Sequence, residues 1–237
     1  SLLLYKNKYQ ELNSMLDTVP VELKNSREYK TIAGSIAFNQ AQFDLMSKQY
    51  DPAISEFKKC IALFEQSGNI KKIPSAYTSI GLACLLQATG VHDKDPVKKA
   101  EGIRQAIGYF EKALPLAKEF GLLEQQWDCA IGLGSCYRIV GDKEKAEINL
   151  RKAISLFEKE KNLHSRDDSK TYTLDLRGSS FQELVALLVD EGRFDEALEI
   201  AEKGRARAFL DLLEGRRTTA NKSFIAQSAP PVAAPVA

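Results

Sequence analysis

The chain has 237 residues, 44% of them hydrophobic, enough to bury a sizeable core in one large domain or two small ones. Its 33 Lys and Arg stand against 32 Asp and Glu, a formal charge of +1, so no basic excess exists to hold nucleic acid or an anionic membrane. No stretch approaches the ~18 consecutive apolar residues of a membrane span, and Leu2 to Leu4 are interrupted by Lys6 and Lys8, too soon for a secretory leader; a soluble cytoplasmic protein is expected.

Glycine and proline punctuate an otherwise helical pattern. Apolar residues recur at helical spacing, with no sustained period-2 alternation, in segments of helical length, which predicts an all-α fold. A short first helix is expected near Lys8 to Thr18, followed by longer ones at Ser26 to Lys48, Pro52 to Gln66, Pro74 to Ala88 and Pro96 to Phe120. Four more run from Leu122 to Val140, Lys143 to Lys161, Ser169 to Glu191 and Phe194 to Glu214. Asp51-Pro52 and Asp95-Pro96 each read as a capping carboxylate ahead of a proline at the first helical position. Gly68, Gly90, Gly121, Gly141 and Gly192 follow apolar-periodic stretches and read as helix stops. Residues 218–237 contain six Ala, three Pro and Lys222 as the only charge, the composition of a flexible linker.

Within this map a helix-hairpin unit repeats. Ala37, Gln40, Ala41 and Asp44 are followed by Tyr50, Ala53, Phe57 and Cys60; Ala130, Leu133, Gly134 and Tyr137 by Ala146, Leu150 and Ala153. Phe181, Leu184, Val185 and Leu188 lead to Ala197, Ala201 and Gly204, and Tyr77, Ile80, Gly81 and Cys84 to Ala106, Phe110 and Ala113. Small residues at matching points let the two helices of a hairpin approach, and the Phe or Leu four positions after the second anchor fills the space between repeats. The Gly81 to Ala106 unit is 13 residues longer than the others, with the excess inside residues 88–103, where Pro96, Val97, Ala100 and Ile103 indicate extra turns of helix.

The pattern resembles the tetratricopeptide repeat (TPR). It covers residues 26–217 in about four repeats, with residues 1–25 a partial repeat or capping helix. Second-helix anchors 53, 40 and 51 residues apart make these repeats longer than usual, similar to the extended form of scaffolds such as kinesin light chain. The resemblance implies an α-solenoid of antiparallel hairpins with a right-handed superhelical twist, whose first helices line a concave groove for a protein or peptide. Carried over residue by residue, it places Phe38, Gln42, Thr78, Leu82, Ile131, Ser135, Arg138, Gln182 and Ala186 on that groove. These lack the paired Lys and Asn with which chaperone-binding members clamp a C-terminal carboxylate, so a partner with an apolar and a polar face is expected.

Nothing in the chain reads as a catalyst. His92 and His164 sit in polar segments as solvated residues, and Cys60, Cys84, Cys129 and Cys136 read as buried free thiols without metal-ligand spacing. No phosphate-binding, zinc-protease or nucleophile-elbow motif occurs; Gly132-Leu133-Gly134 belongs to helix packing. No enzyme activity, cofactor or metal is expected. Residues 197–217 are expected to form a capping helix whose Ala206, Phe209, Leu210 and Leu213 make an apolar stripe against the last repeat. The segment AEKGRARAFLDLL, with the Ala/Pro-rich linker after it, also resembles the junction in TPR–CHAT proteins between repeats and a caspase-like CHAT domain, which implies a non-catalytic sensor arm with the dyad beyond Ala237. Homo-oligomer assembly through the inserted helix or the Arg-rich last helix is the alternative role.

Overall fold

A computed structural model describes residues 2–163 and 171–206, all α-helical apart from turns, and no strand occurs among them. The elements are α1 (Leu2–Asp17), α2 (Val21–Lys24), α3 (Arg27–Met46), α4 (Tyr50–Ser67), a 3-10 turn (Ile70–Lys72), α5 (Ile73–Gly90), α6 (Pro96–Glu119), α7 (Leu123–Val140), α8 (Lys143–Leu163) and α9 (Thr171–Asp190). A further helix, α10, covers 194–206. The chain divides into two compact units, Ser1–Ser169 and Lys170–Ala237. The expectations for His164 and for residues 207–237 lie outside the described residues.

Consecutive helices in the first unit pair as hairpins: α3 with α4, α5 with α6 and α7 with α8. The anchor residues explain how closely they approach. Ala41, Ala53, Ala106 and Ala146 have no exposed surface. A Cβ placed on Gly81 would stand 2.8 Å from the Phe110 ring, and one on Gly134 would stand 2.7 Å from the Leu150 side chain. Phe57 and Phe110 are 0% and 1% exposed, so each occupies the slot those small residues open. The core runs continuously from Ala37 to Cys136 through Phe57, Phe64, Ile80, Ile103 and Phe110.

The longer α5–α6 hairpin is extended helix joined by a short loop at residues 91–95. Both helices run beyond their anchors, Gly81 and Ala106, and stay packed there: Gly102 faces Ala88, and Ile103 is fully buried. Asp95 caps α6, its carboxylate accepting from the Lys98 backbone N–H at 3.1 Å, with Pro96 as the first helical residue.

One boundary reading is corrected. Asp51 is not a cap: α4 starts at Tyr50 after Gln49, and Asp51, inside the first turn, accepts from Gln87 Nε2 of α5 at 2.8 Å. Gly68, Gly121, Gly141 and Gly192 adopt positive φ, whereas Gly90 is the last residue of α5 and does not. The left-handed position in the α3–α4 connection is taken instead by Lys48, with φ 59°.

Candidate functional site

Helices α3, α5 and α7 are the first members of their hairpins, and α5 packs against both α3 and α7. Each presents a stripe at fixed offsets from its small anchor. On α3 it is Ser35, Asn39, Gln42 and Met46; on α5 Ser75, Ser79, Leu82 and Leu86; on α7 Asp128, Gly132, Ser135 and Ile139. This 4-3-4 spacing keeps all four residues on one helix face. Each stripe is polar at the N-terminal end and apolar at the end nearest the hairpin loop. There Met46, Leu86 and Ile139, five positions after Ala41, Gly81 and Gly134, are 67%, 39% and 38% exposed. No charged residue occurs anywhere on α5.

Polar contacts fix the helices to one another. Gln42 Nε2 donates to Ser79 Oγ at 3.1 Å, joining α3 to α5, and Lys72 Nζ donates to Ser35 Oγ at 3.1 Å from the turn ahead of α5. Between α5 and α7, Thr78 Oγ1 and Cys129 Sγ share a hydrogen bond at 3.4 Å. A cleft of about 300 Å³ opens beside these contacts, lined by Ser35, Phe38, Asn39, Phe64, Lys72 and Ser75.

The residues carried over from the repeat family fall unevenly on this surface. Leu82 is open, while Gln42, Ile131, Ser135 and Arg138 are half-buried on the first helices. Phe38 is half-buried, its ring packed edge-on to Phe57 with centroids 5.5 Å apart, and forms a wall of the cleft. Thr78 is the correction. It is only 7% exposed, its hydroxyl donates back to the Pro74 carbonyl at 2.9 Å and meets Cys129, and it serves the α5–α7 contact instead of a ligand. Gln182 is exposed and Ala186 half-buried on α9, in the second unit. Met46, Leu86 and Ile139 lie outside the carried-over set, although their shared offset from the small anchors is visible in the sequence.

All four cysteines are free and buried. Burial pushes the thiols of Cys60 and Cys136 up to about 12 and those of Cys84 and Cys129 up to about 11. That is the reverse of what a nucleophilic cysteine requires. Among the described residues no group of three or more His, Cys, Asp or Glu could hold a metal ion, and no helix is long and apolar enough to cross a membrane.

Residues 129–160, spanning most of the α7–α8 hairpin, match the tetratricopeptide repeat family model. Over 88 residues, 37% of this chain, the sequence is 43% identical to tetratricopeptide repeat protein 28 of Mus musculus, and equally to that of Homo sapiens; the match spans 4% of those proteins. Among solved structures, the apo form of RapI superposes with a TM-score of 0.62 at 18% identity, covering 93% of this chain and 68% of that one. BtubC (BKLC) from P. vanneervenii gives 0.58 at 14% identity, covering 98% of this chain and 80% of that one. A Podosopora anserina protein with nearly identical TPR-like repeats gives 0.50 at 15%, covering 85% and 88%. The chain thus carries a tetratricopeptide repeat and has the fold of a TPR-type helical solenoid.

Proposed function

We propose that the protein is a non-catalytic interaction scaffold that binds a peptide or protein segment across the face formed by α3, α5 and α7. One observation carries this reading: the exposed row Met46, Leu86 and Ile139 at equivalent points of three successive first helices, beside the open Leu82. Side chains that only maintained the fold would be covered there, as Ala41, Gly81 and Gly134 are five positions earlier. A partner with an apolar edge along this row and a polar edge along Ser35, Asn39, Ser75 and Asp128 complements the gradient of the stripes. The carried-over residues Phe38, Gln42, Ile131, Ser135 and Arg138 belong to the same reading; Gln182 and Ala186 hold the equivalent repeat positions on α9 of the second unit.

The test uses peptides selected on the purified protein from a random display library. Leu86→Asp and Ile139→Asp should each weaken a selected peptide roughly tenfold or more, while Ile148→Asp on α8, where Ile148 is 59% exposed, should leave it unchanged. Equal affinity of all three variants and the parent overturns the reading.

The finer reading, a sensor arm preceding a CHAT protease domain, rests on the sequence AEKGRARAFLDLL and the linker after it. An open reading frame with no caspase-like domain after the repeats ends it. Oligomer assembly is favoured by a separate observation on α10, where Phe194 and Leu198, one turn apart, are 66% and 59% exposed. Light scattering decides it, since a monomer at every concentration removes that role.

A further inference from the structure

The cleft at the polar end of the stripes has a composition that selects its occupant. Its base is aromatic: Phe64 is 1% exposed and Phe38 stands beside it. Its walls carry two hydroxyls, Ser35 and Ser75, and the Asn39 amide. Its one charged group is Lys72, whose ammonium lies 5.5 Å from the Phe64 ring centroid and donates to Ser35 Oγ. No carboxylate lines the cleft. Lys72 is thus an exposed cation on a polar cleft with no counter-ion among the lining groups, and one of its three donors is used on Ser35.

We propose that this cleft is the subsite for an Asp or Glu side chain of the docked peptide. Lys72 supplies the counter-charge, Ser35, Asn39 and Ser75 the neutral hydrogen bonds, and Phe38 a surface for the methylene stem. The inference rests on the interaction reading above and names the anchor at the polar edge of that face. A volume of about 300 Å³ is at the lower limit for small-molecule sites and suits one or two side chains. A single lysine balances the single charge of a carboxylate, whereas a phosphoryl group would keep much of its charge uncompensated. The pair would include a charge-assisted hydrogen bond, stronger than one between neutral groups.

The experiment selects random short peptides on the full chain, labels an enriched one and measures its affinity by fluorescence anisotropy. Enriched peptides should share an acidic position. Lys72→Glu should weaken binding roughly tenfold or more, and replacing the peptide's acidic residue with Lys should restore affinity for Lys72→Glu while losing it for the parent protein. If Lys72→Glu leaves affinity within about twofold while Leu82→Asp weakens it, the cleft assignment is wrong and the interaction face stands. If Leu82→Asp and Leu86→Asp both leave it unchanged, the face itself is wrong and the cleft assignment falls with it. Failure to enrich any peptide counts against both. Circular dichroism of each variant confirms that the helices are intact.

Discussion

Phe110 of α6 lies against Gly132 of α7 so closely that a Cβ on Gly132 would stand 2.6 Å from the ring's Cε2. The same ring faces Gly81 of α5, so one aromatic side chain occupies notches on two successive first helices. Phe110 sets the approach of α5 to α7, and with it the spacing of the stripes that carry Leu86 and Ile139. Gly132→Ala should therefore destabilise the protein by roughly 1–3 kcal/mol, because a buried ring between two helices cannot yield without shifting one of them. Gly108→Ala, where a Cβ meets nothing within 4 Å, is the control and should raise stability slightly through helix propensity. Urea unfolding monitored by circular dichroism measures both.

The α3–α4 connection carries a local strain that a single substitution removes. Lys48 has φ 59° at an exposed turn, a conformation that costs a residue with a Cβ about 1 kcal/mol and glycine almost nothing. Lys48→Gly should stabilise the protein by an amount of that order, net of the unfolded-state entropy that glycine adds. A lower urea midpoint for the variant would show that the Lys48 side chain contributes more than its backbone costs.

Asp95 and Asp51 share a sequence context and differ in structural role. The Lys98 backbone N–H, together with the Lys98 ammonium, holds the Asp95 carboxyl below its ordinary value. A depressed carboxyl contributes stability above its unfolded pKa, and that contribution is lost as pH falls through the folded one. Asp95→Ala should lower the thermal midpoint at neutral pH, and the gap to the parent should close on acidification below the usual carboxylate range. Asp51→Ala removes only the contact with Gln87 and should have the smaller effect at neutral pH. An Asp95→Ala gap that stays constant with pH would refute the capping role.

The four thiols supply a chemical test of burial. All are raised by burial, so native protein at neutral pH should leave them unmodified by a water-soluble disulfide reagent, with all four reacting in denaturant. Above about 9 the unfolded chain ionises its thiols while the folded chain does not, so stability should decline from there towards the folded values of about 11 and about 12. Rapid labelling of native Cys129 would contradict the Thr78–Cys129 contact that closes α5 against α7.

Much of the fold is legible in the sequence because glycine, proline and the small anchors act locally. Gly68 and Gly141 end helices where left-handed backbone is required, and Asp95-Pro96 starts one. Three features resist such reading. Lys48 takes a glycine's conformation because the tight α3–α4 turn imposes it, and a lysine there gives no local signal. Asp51 looks like a cap until α4 is seen to begin at Tyr50, two residues before Pro52. Thr78 occupies a repeat position that opens on the groove, but the close α5–α7 approach turns it inward to Cys129. The proposed face is only half legible: residue-by-residue transfer names Leu82 and Ser135, while the exposed row Met46, Leu86 and Ile139 becomes evident when three helices stand side by side. Lys72 and Ser35 are 37 positions apart, and only the fold brings them together.

Whether the first-helix face receives the partner is read out residue by residue in methyl-resolved nuclear magnetic resonance. Titrating the labelled protein with a selected peptide should shift the methyl signals of Met46, Leu82, Leu86, Ile131 and Ile139 and leave Ile148 on α8 in place. Shifts confined to α4, α6 and α8, with the first-helix methyls unmoved, would contradict the account.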